Sequence, residues 1–334
     1  MRAISEVLAA LLAWGSLAVG ADAQPEVELT FQDPEIVESS GLVATAGLLL
    51  TVNDSGDTGR VFAVDAGGRT VGVTRWAEEP EDVEALAPAG DGEVWVADIG
   101  DNRARRDSIR ILKVPVGRGD RDVEPAGFDL TYPDGARDAE SLLVDPTTAR
   151  VYVATKEVFG GTLYAAPEDL DPAAPNLLEE VGPVLPIATD GAFFPDGRHF
   201  VVRGYQRAVV YGFPSLESEA ILDLPPQPQG EGIAVTPELD LLLSTEGQGA
   251  EVLRLPLPED VRAIVAPSLA SPSSAVPPQA STTAAPSQRA STASREGKEL
   301  PETTEVQRDA MPWFLGGFLA LGVLIALMLS LRRR

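Results

Sequence analysis

From residue 27 to residue 265, short apolar runs alternate with turn residues, and one ordered pattern recurs five times. Each unit opens with a small acidic motif that leads into an apolar strand. The five openings are Glu38-Ser39-Ser40-Gly41-Leu42, Glu81-Asp82-Val83-Glu84-Ala85-Leu86, Asp138-Ala139-Glu140-Ser141-Leu142, Thr189-Asp190-Gly191-Ala192-Phe193 and Gly230-Glu231-Gly232-Ile233. A second strand follows in each unit, over 48–52, 93–97, 151–155, 200–202 and 241–244. A third strand then closes in a recognisable way, as in Val61-Phe62-Ala63-Val64-Asp65 and Val252-Leu253-Arg254-Leu255-Pro256. The third strands start 50, 52, 47 and 42 residues apart. Four units carry a fourth strand, expected over 70–76, 128–132, 177–181 and 219–224.

Four short strands in about 45 residues, separated by turns and with little helical periodicity, predict an all-β chain folded as a β-propeller. Five four-stranded blades are expected, with six as the alternative. A β-sandwich array would leave the recurring acidic opening unexplained. The fifth unit lacks a fourth strand of its own. Val27-Glu28-Leu29-Thr30-Phe31 is the expected donor and 261–265 the alternative; either would close the ring and remove exposed strand edges.

The flanking segments read as addresses. Residues 1–23 have a basic residue, Arg2, then an apolar run, then Ala21-Asp22-Ala23 before Gln24, the pattern of a cleaved export signal. The propeller is expected over 24–265. Residues 266–312 are rich in Pro, Ser, Thr and Ala and read as a disordered stalk. Residues 313–331 contain no charge, and at about 1.5 Å per residue they match a bilayer core as one transmembrane helix. Arg332, Arg333 and Arg334 follow as a cytoplasmic tail, which places the body outside the cell. Leu300-Pro301-Glu302-Thr303-Thr304 resembles the LPxTG sorting signal of bacterial cell-wall proteins, with Thr304 in place of Gly. A single-pass membrane anchor is expected ahead of cell-wall attachment, for a bacterial, monomeric surface protein.

Composition then narrows the chemistry. The 334 residues include 26 Lys+Arg and 51 Asp+Glu, a net charge of −25, with no Cys and one His. Disulfides, thiol nucleophiles and Cys-ligated metals are excluded, and so are multi-His metal sites. Such acidity argues against binding nucleic acid through phosphates. His199 is expected in an exposed hairpin turn. Ser40 and Ser141 have no evident His partner for a catalytic triad.

The acidity has a place in the predicted fold. The start of a first strand and the end of a second strand share one propeller face. Glu38, Asp82, Glu84, Asp138, Glu140, Asp190 and Glu231 therefore join Asn53, Asp54, Asp57, Asp98, Asp101, Asn102, Lys156, Glu157, Arg203 and Glu246 around one channel mouth. All of these but Glu38 are the candidate ligand-binding residues. Oxygen-only ligands favour a hard ion, Ca²⁺ before Mg²⁺. Asp54, Asp57, Glu84, Asp98, Asp101 and Glu140 are the candidate metal ligands. The competing reading is that such acids cap turns and fasten blades.

The run from Glu38-Ser39-Ser40-Gly41-Leu42 through Asn53-Asp54-Ser55-Gly56-Asp57 to Asp98-Ile99-Gly100-Asp101-Asn102 resembles secreted bacterial β-propellers of the phytase-like and lactonase-like groups. The resemblance spans roughly residues 36 to 260. It implies a site at the channel mouth and Ca²⁺ dependence. Two functions follow as expectations. One is a displayed module that binds an extracellular ligand or protein. The alternative is a Ca²⁺-dependent hydrolase of phosphoesters or lactones, with Glu84 or Glu140 as candidate base.

Overall fold

The computed structural model describes residues 24–266, apart from Ala46, Ser55 and Asp91. The expected export signal, the LPxTG-like motif and the 313–331 segment lie outside the described residues. Among the described residues no helix is long and apolar enough to cross a membrane.

The body is a five-bladed propeller. The first strand, β1 (Glu26–Thr30), belongs to the last blade. Blade one is β2 (Ser39–Thr45), β3 (Leu48–Asn53), β4 (Arg60–Val64) and β5 (Thr70–Trp76). Blade two is β6 (Val83–Pro88), β7 (Glu93–Asp98), β8 (Ile109–Pro115) and, beyond a short β9 (Arg121–Val123), β10 (Ala126–Thr131). Blade three is β11 (Ala139–Val144), β12 (Val151–Thr155), β13 (Gly161–Ala165) and, after β14 (Asn176–Leu177), β15 (Glu179–Val184). Blade four is β16 (Asp190–Phe193), β17 (His199–Arg203), β18 (Arg207–Gly212) and β19 (Ser218–Asp223). Blade five is β20 (Gly230–Val235), β21 (Leu241–Thr245) and β22 (Glu251–Leu255), and β1 pairs antiparallel with β22 to complete it.

The innermost strands β2, β6, β11, β16 and β20 each touch the next, and β20 returns to β2, so the ring is closed. Alternating side chains of neighbouring blades meet in five apolar clusters, one at each interface. Fully buried members such as Leu243 and Ile233 contribute about 1.5–3 kcal/mol each by leaving water. The two extra strands tie blades together. β9 runs parallel to β5 of blade one, and β14 runs parallel to β10 of blade two.

Three expectations are corrected. Residues 261–265 do not donate a strand; they form most of α1 (Glu259–Val265), which buries Val261 and Val265 against blades four and five. The fourth strand of blade three begins at Glu179, because Asn176 and Leu177 are taken by blade two. His199 is not exposed. It opens β17 at 9% exposure, with Nδ1 2.6 Å from Asp196 Oδ2 and Nε2 3.0 Å from Glu219 Oε2. The turn before it ends one residue earlier than the sequence suggests.

Candidate functional site

The site is built from β-bulges. In blade two, Val83 pairs with Asp98 and Ala85 with Ala97, which leaves Glu84 as the extra residue. In blade three, Ala139 pairs with Thr155 and Ser141 with Ala154, which leaves Glu140. The same register shift spans Ser39 to Leu42 in blade one and Gly230 to Ile233 in blade five, around Ser40 and Glu231. A bulge re-aims its extra side chain out of the ladder. One polar residue per blade is thereby presented at the channel: Ser40, Glu84, Glu140 and Glu231, with Asp190 opening the regular β16.

Many of the other acids hold turns. Asn53 Oδ1 accepts from the Val37 and Glu38 amides, and its Nδ2 donates 2.7 Å to Asp57 Oδ2. Asp57 also accepts from Arg60 Nε at 2.8 Å. Asp98 accepts from the Glu81 and Asp82 amides and from Arg106 Nη1, at 2.9, 2.9 and 2.8 Å. Asp101 accepts from the Arg105 and Arg106 amides, and Asn102 lies exposed in the turn that follows. Asp138 accepts the Asp101 amide at 2.9 Å and so fastens blade three to blade two. Glu157 accepts from Arg137 Nη1 and Thr155 Oγ1. Glu246 accepts from Gln229 Nε2.

Behind the mouth lies a buried anchor between blades four and five. Asp190 is fully buried and accepts from the Gly191 and Ile233 amides, both at 2.8 Å. Burial drives its carboxyl well above the usual range. Arg203, also fully buried, donates from Nη1 to the Gly232 and Ser244 carbonyls at 2.9 and 3.3 Å. Burial lowers the guanidinium to about 10, while Glu231 and Asp190 oppose that drop.

The remaining carboxylates converge. Oxygens of Asp54, Asp82 and Glu84 all lie within 4.8 Å of one another. Asp82 Oδ1 is buried without a hydrogen-bond partner, and so is Glu231 Oε2. The backbone is shaped to admit this cluster. A Cβ at Gly100 would stand 2.4 Å from Asp82 Oδ2 and 2.7 Å from Glu84 Oε1. Glu84 is 3% exposed, and Ser40 Oγ donates 2.6 Å to its carbonyl. Burial, then the charges of Glu140, Asp54 and Asp82, push the Glu84 carboxyl up to about 11. Burial, then Asp54 and Asp138, hold Asp82 at about 6. Glu140 is held at about 8, chiefly by burial, with Lys156 opposing. Lys156 Nζ binds Glu140 and lies 5.5 Å from the Tyr205 ring centroid. Burial works against its charge, but Glu140 and Glu231 keep it protonated.

Of the six candidate metal ligands, the structure brings Asp54 and Glu84 together, with Asp82 as the third member. Asp57, Asp98 and Asp101 are occupied by amides and arginines, and Glu140 is paired with Lys156. Sequence reasoning missed Gly100, Arg106 and Tyr205 as parts of the site. Gly100 stands inside the motif Asp98-Ile99-Gly100-Asp101-Asn102, and the single Gly between Ile99 and Asp101 was the available signal.

No protein-family model matches the chain, and no curated protein matches it. Among solved structures, one chain of a crystal structure of a nidogen/laminin complex is similar over 63% of this chain and 73% of its own length, at 10% identity and a TM-score of 0.40. The propeller assignment rests on the sheet topology.

Proposed function

We propose that this chain is an extracellular binding module, displayed from a membrane anchor, whose channel mouth holds a divalent cation on Asp54, Asp82 and Glu84. One observation carries the reading. Three carboxylates converge, Glu84 buried and Asp54 and Asp82 partly buried, and a buried oxygen of Asp82 has no hydrogen-bond partner. Close carboxylates left without a cation must keep protons, which is what burial and mutual repulsion impose on Glu84 and Asp82. With oxygen as the sole donor, Ca²⁺ fits before Mg²⁺. Ca²⁺ takes about six to eight oxygens, so water or an oxygen of a bound ligand completes the shell.

The rim suits a ligand or protein partner. Phe159 is fully exposed and Val158 largely so, on the loop between β12 and β13, and Tyr205 stands half-exposed beside Lys156. Exposed aromatic and apolar side chains set among polar ones are enriched at recognition surfaces. The charge-free 313–331 segment and the stalk 266–312 support display from a membrane.

Isothermal titration of the full-length chain with Ca²⁺ and with Mg²⁺ tests the cation site. Saturable Ca²⁺ binding that outcompetes Mg²⁺ is the expected result. The absence of heat and of any competition at 10 mM Ca²⁺, about tenfold above the weak end of extracellular sites, would overturn it. Protease treatment of intact cells tests display, by release of a folded body when the stalk is cut.

A further inference from the structure

The far end of the channel is chemically unlike the mouth. Where the five inner strands finish, they surround a cavity of about 480 Å³. Each blade contributes an apolar residue to its wall: Leu42, Leu86, Leu142, Phe193 and Val235. Trp95 joins them from β7. The two ends are separated where inner strands crowd. A Cβ at Gly41 would fall 2.2 Å from the Leu86 backbone nitrogen, and one at Gly232 would fall 2.6 Å from the Ser40 carbonyl oxygen.

Two charged side chains reach this cavity, Lys113 and Asp145. Asp145 is spent on its own turn, accepting from the Thr147 amide at 2.8 Å and from the Thr147 and Thr148 hydroxyls at 2.7 and 2.8 Å. Lys113 is differently placed. Its ammonium lies 5.9 Å from the Trp95 ring centroid, and its one ion pair among the described residues, 3.0 Å to Glu93, is a half-exposed contact that water screens. The cavity thus has an apolar wall and one cation at its rim that an incoming anion can engage.

We propose that this end of the channel binds a small apolar carboxylate, an aryl- or alkyl-alkanoate, with its hydrocarbon in the cavity and its carboxylate on Lys113. The volume falls within the roughly 300–1,000 Å³ of ligand pockets. Water in a cavity so lined finds few hydrogen-bond partners, so an apolar group that displaces it gains the burial of its own surface. Charge selects the ligand class. The mouth at the other end is crowded with carboxylates, whereas here Asp145 is held by its own turn and Lys113 can exchange its screened contact with Glu93 for the carboxylate of a ligand.

The test uses the full-length chain in phosphatidylcholine nanodiscs, titrated with 4-phenylbutyrate and with neutral 4-phenylbutanol, against empty nanodiscs. Saturable 1:1 binding of 4-phenylbutyrate is expected. Lys113→Glu should weaken the carboxylate by about tenfold or more, the loss of a charge-assisted contact, and leave the alcohol nearly unchanged. Ala192→Trp, which fills the cavity, should abolish binding of both probes; Val235→Trp replaces it if the first variant does not fold. Ca²⁺ titration of the same samples should be unaffected, so failure here is distinct from failure of the cation site. No binding above empty nanodiscs, binding that survives both cavity-filling variants, or equal loss of both probes in Lys113→Glu would each overturn the proposal.

Discussion

Glu84→Gln separates the cation site from a merely structural cluster. Glu84 is 3% exposed and carries a carboxyl that burial and three neighbouring carboxyls push up to about 11. At neutral pH the ion-free side chain is therefore neutral, and glutamine keeps its volume and its charge state. The substitution should leave the ion-free melting temperature at pH 7 little changed. What it removes is the oxyanion that Ca²⁺ needs. In the unsubstituted protein, Ca²⁺ at a hundred times its dissociation constant stabilises the fold by about 2.7 kcal/mol, about 5–10 °C for a domain of this size. That shift should vanish in Glu84→Gln. Protons and the ion compete for the same carboxyl, so between pH 7 and 9 each Ca²⁺ bound displaces one proton from Glu84 and affinity should rise about tenfold per pH unit. Below pH 6 the proton on Asp82, held at about 6, adds to the competition and the slope steepens. Thermal unfolding against Ca²⁺ concentration at several pH values reads all of this. A calcium shift that survives undiminished in Glu84→Gln, or an affinity flat from pH 6 to 9, would refute the reasoning.

Three further outcomes follow from the same geometry. Without divalent ions, melting temperature should fall as pH rises from 4.5 to 8, read by scanning in EGTA. Asp82, Glu246 and Glu140 are held at about 6, 7 and 8, chiefly by burial, and each keeps its proton longer folded than unfolded, so stability present below the ordinary carboxyl range is lost as pH climbs through those values; a rising curve would contradict this. Arg203→Met should cost about 3–5 kcal/mol in denaturant unfolding, because it strips donors from two buried carbonyls and leaves Asp190 and Glu231 without their nearest buried cation; a cost below about 1 kcal/mol would show that blades four and five do not depend on it. Leu29→Ala should cost about 2–4 kcal/mol, since Leu29 is 7% exposed in the strand that closes blade five; unchanged stability would mean the closure contributes nothing.

The propeller was legible because its cause is periodic. Each blade needs an inner strand apolar on both faces and a turn every few residues, and the sequence repeats that demand five times. Donation of β1 to the last blade was legible for the same reason, as residues 27–31 were one of two spare β-patterns available to a unit that lacked its outer strand. What periodicity cannot show is competition between neighbours. Leu177 reads as the start of blade three's outer strand, yet with Asn176 it pairs with β10 of blade two. Residues 261–265 read as strand, yet Pro258 and the acidic first turn set up a short helix that buries Val261 and Val265. His199 read as a turn residue, and Asp196 and Glu219 instead draw it inward.

The site was legible as a set and not as a division of roles. Recurrence placed the acids on one face, but which partners a carboxylate takes depends on which amides, arginines and other acids the loops bring to it. Asp98 and Asp54 both follow a second strand among Asp, Asn and Gly. Asp98 is engaged by two amides and by Arg106, which comes from a loop that no local pattern connects to it. Asp54 lies instead against Asp82 and Glu84. The bulges were equally invisible, since a one-residue excess appears only when two strands are paired. They explain why the ring is lopsided. Blade three answers its own Glu140 with Lys156, and blade four buries Arg203 beside Asp190. Blade one presents Ser40, which adds no charge, and Arg106 near blade two is committed to Asp98. The carboxyls of Asp54, Asp82 and Glu84 therefore gather at the junction of blades one and two, where Gly100 makes room for them. A bulk charge of −25 is consistent with many surfaces. This arrangement confines the part that matters to three carboxyls on one side of the channel, where the proposed cation would relieve both their repulsion and the unpartnered oxygen of Asp82.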